Sequence, residues 1–295
     1  MAFLLAVAFL AVAAAAVAVG RLILSGPGQP VAEAETEVAA AVQRRTVIWR
    51  WSGVVAGTAA AVTAVLTGAL GRGFMLAAPI FGLFVVAGVV VGELSVRAPA
   101  SQTRRAALVV RRIADYLPTG LARAVAVSVL MLAALLTVTT AMGTADDLGR
   151  AGRFLVRQCS AAVSQGHGPW AGSFYTIPLG VVIAAGLTAA AIALRQVARR
   201  PRPGDPADVA AIDDQLRRRA ARTIVGACGV LVTIPLIAVS LATAGGFLAI
   251  GCRPGWWSVA AWLLIALVPG WAAILGWSAL AVLAPQLRAS AAAGA

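Results

Sequence analysis

The sequence predicts an all-α fold. A single domain over residues 1–295 forms a polytopic bundle of about seven transmembrane helices, with the N-terminus outside and the C-terminus cytoplasmic. Three observations predict it. First, of 295 residues 61% are hydrophobic and only 12% charged, against about half and about a quarter in a soluble domain. Second, apolar runs recur that reach the ~20 residues a helix needs to cross a bilayer. Third, the net charge is +13 and all 24 basic residues are arginine, placed at the ends of those runs. With seven spans, 19 of them fall on the side of the C-terminus and five (Arg72, Arg150, Arg153, Arg157 and Arg253) on the other, the bias that orients membrane proteins. Because this placement is topological, nucleic-acid binding is not expected despite the basic balance.

Residues 2–24 form the first span. No charge precedes it and Arg21 lies near its far end. A cleaved signal peptide has the reverse design, a basic start followed by a short apolar core. Gly26-Pro27-Gly28-Gln29-Pro30 then breaks the helix. Glu33, Glu35 and Glu37 open the next one, and Arg44, Arg45 and Arg50 close its cytoplasmic part. Acid first and base last suits the helix dipole. This helix runs on into the second span, 51–70, with Trp49 and Trp51 at the inner interface. Gly53, Gly57 and Ala61 make a stripe of small residues for close helix contact. Gly71-Arg72-Gly73 is an outer turn, and 74–91 is the third span. Gly88 and Gly92 repeat the small-residue spacing, which leaves homo-oligomerisation open, and Glu93 marks the inner edge.

The inner loop 96–123 interleaves Arg97, Arg104, Arg105, Arg111, Arg112 and Arg123 with Leu108, Val109, Val110 and Ile113. It sets topology as a charged inside loop, and Arg111 and Arg112 are candidates for contact with lipid phosphates or a partner. The fourth span is 121–142, the outer loop 143–172 and the fifth span 173–194, with Pro178 in its tolerant first turns. In the loop 195–222, Asp205 and Pro206 suit the cap and first position of a helix. Asp213 and Asp214 pair in register with Arg217 and Arg218. Val209, Ile212, Leu216, Ala220 and Ile224 form one apolar stripe. An amphipathic helix thus feeds the sixth span, 223–250, which Pro235 is expected to kink. Arg217 and Arg218 join the candidate inner lipid or partner contacts. The seventh span, 256–283, is about 42 Å long at ~1.5 Å per residue. It must tilt, kink at Pro269 or protrude.

Chemistry is sparse. Cys159 lies in the outer loop and Cys252 in the last outer turn, so both face an oxidising compartment and are expected to form a disulfide. Cys228, within the sixth span, reads as a packing residue. The stretch 159–175 holds His167, Trp170 and Tyr175, the candidate outer recognition residues. Trp170 and Tyr175 also suit anchoring of the loop at the interface. One histidine with Asp146 and Asp147 nearby falls short of the donor set a metal needs. No ionisable residue sits mid-span, so a proton-coupled pump is not expected. Thr137, Thr139, Thr140, Ser240 and Thr243 can bond to backbone carbonyls of their own helices. A phosphate-binding loop, the paired histidines of a lipid phosphatase, the serine–histidine pair of an intramembrane protease and the paired glutamates of a prenyl protease are all missing. The chain therefore reads as no enzyme, with no catalytic residue, cofactor or metal.

Two stretches carry a resemblance: Gly92-Glu93-Leu94-Ser95-Val96-Arg97-Ala98-Pro99 through Arg111-Arg112-Ile113-Ala114-Asp115-Tyr116-Leu117-Pro118, and Gly168-Pro169-Trp170-Ala171-Gly172-Ser173-Phe174-Tyr175. With these the chain resembles a group of uncharacterised actinobacterial multi-pass integral membrane proteins. That resemblance implies a cell-membrane protein and no particular activity.

Two function classes follow. One is a non-enzymatic accessory, scaffold or sensor component with an outer-face lid, working among membrane lipids and a membrane partner. The other is a transporter or permease subunit for an uncharged or lipid-like substrate, driven by a separate ATPase docked on 205–222. A polar cavity at mid-membrane favours the second; a dry bundle favours the first.

Overall fold

The computed structural model describes residues 33–95, 113–199 and 207–283, with side chains from Arg44 in the first stretch and Asp214 in the third. The expected first span, Arg111, Arg112, Asp205 and Pro206 lie outside these residues.

Among the described residues there are six helices: α1 (Glu33–Thr67), α2 (Arg72–Leu94), α3 (Thr119–Met142), α4 (Ser173–Arg199), α5 (Ala207–Ala249) and α6 (Gly255–Leu283). Short 3-10 turns, Ala69–Gly71 and Ile113–Asp115, precede α2 and α3. Both expected run-on helices are present: α1 passes unbroken from its acidic start into the apolar stretch, and α5 does the same over about 64 Å at ~1.5 Å per residue. Helices α4, α5 and α6 continue through Pro178, Pro235 and Pro269. Five segments are long and apolar enough to cross a membrane: Ala69–Leu94, Thr119–Met142, Ser173–Arg199, Asp214–Ala249 and Gly255–Leu283. The expected second span is not one of them. It ends at Thr67, and Arg50, Trp51 and Ser52 bound its apolar part on the other side, which leaves it short of the ~20 residues of a crossing helix.

Helix α5 is the hub. Of its most apolar stretch 78% is buried, against 11% in α6. It packs on α2, α3, α4 and α6. Leu231 shows how: its Cα lies 2.6 Å from where a Cβ on Gly82 of α2 would sit, and its Cδ2 2.5 Å from one on Gly186 of α4. On the other side Gly226 faces the carbonyl of Ser278 on α6 at 2.8 Å by the same measure. The core joins Val54, Val86, Leu121, Leu179, Ile224, Leu231, Leu236 and Val282 into one apolar cluster. In lipid such contacts act through packing and dispersion rather than release from water.

The two small-residue stripes face each other. A Cβ on Gly53 would meet the Phe84 carbonyl at 2.6 Å, and one on Gly88 the Trp49 carbonyl at 2.6 Å; Gly92 lies against Trp49. The Gly88/Gly92 spacing therefore closes the α1–α2 hairpin within the chain. The same hairpin turns through Leu70 (φ 59°) and Gly71 (φ 76°), and only glycine takes the second without strain.

Contacts between helix ends sort the connections onto two faces. The α1–α2, α3–α4 and α5–α6 connections meet at one end, the cap face. At the other, Arg50 of α1 reaches the end of α6, and Tyr116 and the end of α4 meet the start of the apolar part of α5.

Candidate functional site

The segment between α3 and α4 forms a cap, and its first half is built on one carboxylate. Asp146 accepts hydrogen bonds from the amides of Leu148 (3.1 Å) and Arg150 (2.9 Å), from Arg150 Nε (2.6 Å) and from Arg153 Nη1 (2.6 Å). Burial opposes its ionisation, but the Arg150 and Leu148 amides and the two guanidinium groups outweigh that and hold the carboxyl down at about 2. Gly149 and Gly152 take positive φ within this turn. Thr144 then pairs with Phe154, and the chain enters a two-stranded antiparallel hairpin. Strand β1 (Leu155–Gln158) pairs with β2 (Ser164–His167), Leu155 opposite His167 and Gln158 opposite Ser164. The hairpin lies within the outer loop expected from the sequence, 143–172, and is not itself expected there. Its signal is short: Phe154, Leu155 and Val156 followed by polar residues, below the length at which alternation is distinctive.

Three fastenings hold the cap down. At the α5–α6 corner, Cys159 and Cys252 lie at disulfide distance, Cα atoms 5.6 Å apart, within the range a disulfide requires. Beside them the Gln165 side-chain carbonyl accepts from the Gly251 amide (2.7 Å) and the Cys252 amide (3.3 Å). Arg157 lies over the Trp257 ring at 5.8 Å.

At the bundle centre, Trp170 is fully buried. Its Nε1 donates to the Thr139 carbonyl of α3 (2.8 Å), and its ring lies 5.5 Å from Phe247 of α5. Space for it exists because residue 246 is glycine: a Cβ there would sit 2.7 Å from the indole. Trp170, Phe247, Trp257, Leu155 and Ile250 form a second apolar cluster under the hairpin.

At the α1–α2 corner, the Tyr175 hydroxyl donates to the Leu70 carbonyl (2.9 Å). Arg72 and Arg153 both lie over the Phe174 ring, at 5.0 and 5.3 Å. The Tyr175 phenol, and then Asp146, keep the Arg153 guanidinium above its ordinary range against the effect of burial.

These positions revise the outer recognition set. Trp170 and Tyr175 are buried fasteners, removed from contact with anything outside, as the anchoring role requires. His167 ends β2, half-buried, at the rim of the same cluster. Among the described residues no three of His, Cys, Asp or Glu gather as a metal site, and Asp146 is already saturated by the cap's own donors. Exposed on the cap are Leu148, Val156 and Val163.

The opposite face overturns one inner candidate. Arg217 was expected to face lipid or a partner, but it is only 1% exposed. Its Nη1 donates to the Val197 and Ala198 carbonyls (both 3.0 Å), so it caps the C-terminus of α4, and Tyr116 lies beneath it at 6.0 Å. The Tyr116 hydroxyl donates to Asp214 (3.2 Å). Leu216, placed on the apolar stripe by sequence, is 44% exposed. Ala220 and Ile224 of that stripe are buried as expected, and Arg217, Ala221 and Cys228 share the buried side with them. That helical spacing was visible, but an arginine was not counted as apolar-facing; a long stem that ends on a helix terminus can be. Arg50 does the same for α6, donating to the Val282 carbonyl (2.7 Å). Arg218 remains exposed.

One further expectation is corrected within the bundle. Thr137 and Thr139 do bond to carbonyls of their own helix, and Thr140 pairs with Thr176 (2.6 Å). Ser240 and Thr243 on α5 do not: their hydroxyls are buried and meet no acceptor or donor among the described residues. Cys228 is free and buried in the core, as expected of a packing residue.

Comparison with protein-family models, curated proteins and solved structures finds no match to this chain.

Proposed function

We propose that this chain is a non-enzymatic component of the cell membrane, an accessory, scaffold or sensor subunit that presents the strapped cap on the outer face. It crosses the membrane about seven times, N-terminus outside and C-terminus inside. The arginine count supports that orientation: the connections of the cap face carry the five, and the 19 belong to the other side. The observation that carries the functional reading is the apolar core. Among the described residues the one buried charged side chain is Arg217, at the helix ends; between it and Trp170 the buried polar groups are threonines and serines, which leaves no path of the kind a transporter lines with charge. A cap fixed at three corners suits the presentation of a constant surface. Purification in a mild non-ionic detergent after in-cell crosslinking tests this. A stoichiometric membrane partner lost on deletion of the hairpin tip, residues 159–163, is the expected result; a lone monomer under every condition refutes it.

A second reading, a permease subunit for an uncharged or lipid-like solute with a separate ATPase on residues 205–222, is favoured by the two unpartnered hydroxyls of Ser240 and Thr243 on the central helix. Thr243→Cys labelled by a membrane-impermeant thiol reagent supports this reading; complete protection from it refutes the solute path.

A further inference from the structure

The α1–α2 corner of the cap face gathers two arginines and an aromatic ring from three distant parts of the sequence. Arg72 begins α2, Arg153 comes from the cap, and Phe174 lies in the first turn of α4. Both guanidinium groups lie over the one ring, their Cζ atoms 5.0 and 5.3 Å from its centroid. A ring can attract each cation, but two cations on it repel each other unless an anion joins them. Their neutralisation is unequal. Arg153 holds Asp146 through Nη1 at 2.6 Å, and its side chain is 12% exposed. Its Nε–H is buried and meets no acceptor in hydrogen-bonding geometry. Arg72 is exposed and makes no ion pair with a described residue. The Asp146 carboxylate is itself shared with Arg150, so it is saturated by two arginines and makes no ion pair with the third, Arg72. The N-terminus of α4, a 27-residue helix, opens at the same place and adds positive potential.

We propose that Arg72 and Arg153 clamp a phosphate group over Phe174. Guanidinium groups match phosphate oxygens in geometry as well as charge. The corner lies where the apolar segment of α2 begins, the depth at which lipid headgroups carry their phosphates. The group that fits is a phosphate monoanion, borne by a phosphodiester headgroup or free in solution. The inference does not depend on the scaffold reading.

The full-length chain in a neutral detergent tests it by native mass spectrometry and thermal unfolding. Four conditions are compared: phosphatidylglycerol, diacylglycerol with the same acyl chains, inorganic phosphate, and chloride matched in ionic strength. Arg72→Gln is the main variant, because Arg72 is exposed and its loss leaves the Asp146 network intact. Arg195→Gln, exposed near the end of α4 on the other face, controls for unspecific attraction of anions to arginine. Phosphatidylglycerol is expected to bind the wild type at least fivefold more tightly than Arg72→Gln, with Arg195→Gln unchanged and diacylglycerol without effect. Inorganic phosphate giving the same Arg72-dependent stabilisation identifies a free anion and supports the clamp. Equal binding of phosphatidylglycerol and phosphate by wild type and Arg72→Gln overturns it, as does an equal loss in Arg72→Gln and Arg195→Gln.

Discussion

Trp170→Ala is the perturbation that most directly tests how the cap is held. The indole is fully buried, donates to the Thr139 carbonyl and stacks near Phe247. Truncating a buried tryptophan costs roughly 3–5 kcal/mol, transfer and cavity together. Trp170→Phe keeps most of the volume and leaves the carbonyl without its donor, a cost of about 1 kcal/mol. Gly246→Ala attacks the same contact from the other side. The new methyl would sit 2.7 Å from the indole, and overpacking of this kind costs about 1–3 kcal/mol. If the contact is as described, the two substitutions couple: once the indole is gone, the methyl enters the space it vacated and Gly246→Ala becomes nearly neutral. The coupling energy then equals most of the single-mutant cost. Cys228 supplies the assay, because it is the free cysteine and lies buried in the core. A thiol-reactive fluorophore reports its exposure as the purified protein is heated, while the paired cysteines stay silent. The expected order of thermal midpoints is wild type, then Trp170→Phe, then Trp170→Ala lowest, with the double variant close to Trp170→Ala. Equal destabilisation by Gly246→Ala in both backgrounds refutes the plug.

Three further outcomes are expected. Mass mapping without reductant should recover a Cys159–Cys252 linked peptide, and two freely alkylated thiols would refute the pairing. Loop entropy alone assigns such a bridge about 4–5 kcal/mol, but α4 and α5 already fix its ends, so Cys159→Ser should lower the midpoint less than Trp170→Ala does. Arg217→Ala removes two charge-assisted hydrogen bonds to the end of α4, each worth about 1.5–3 kcal/mol. Arg218→Ala should fall within about 0.5 kcal/mol of wild type; similar losses for both would refute the assignment of the buried position. Asp146 has a folded pKa of about 2, below its unfolded value. Its contribution is therefore full above pH ~4 and lost as pH falls toward 2. Asp146→Asn should flatten the stability profile in that window, and an unchanged acid limb would show that the carboxylate is not held as described.

Much of this architecture is legible in the sequence because the bilayer restricts the choices. A long apolar run must satisfy its backbone internally, so it is a helix, and α3, α4, α5 and α6 begin and end within a few residues of the expected limits outside their inner extensions. The cysteine pairing was legible by a similar argument of compartment. The rest was not. The hairpin is too short for its pattern to rise above that of a loop. The role of Trp170 depends on a glycine 76 positions later being free to receive it, and nothing local in either stretch announces the other. Arg217 was misplaced because charge was taken as a sign of exposure, although its spacing from Ala220, Ala221 and Ile224 put it on the buried side. The clustering of Arg72, Arg153 and Phe174 is purely tertiary.

The two ends of the bundle are closed by different physics, and that difference bears on function. On the cap face the closure is a covalent bridge, a buried indole and a tyrosine hydroxyl on a turn carbonyl, each reaching a different helix pair. To open it, all three must yield together. On the opposite face the closures are single arginines donating to the last carbonyls of α4 and α6. Each is one residue acting on one helix end, and Arg217 is buried there against Tyr116, out of contact with lipid. In the accessory or sensor role proposed above, the cap is the fixed surface, and the arginine-capped ends are the places where one lost contact frees one helix end.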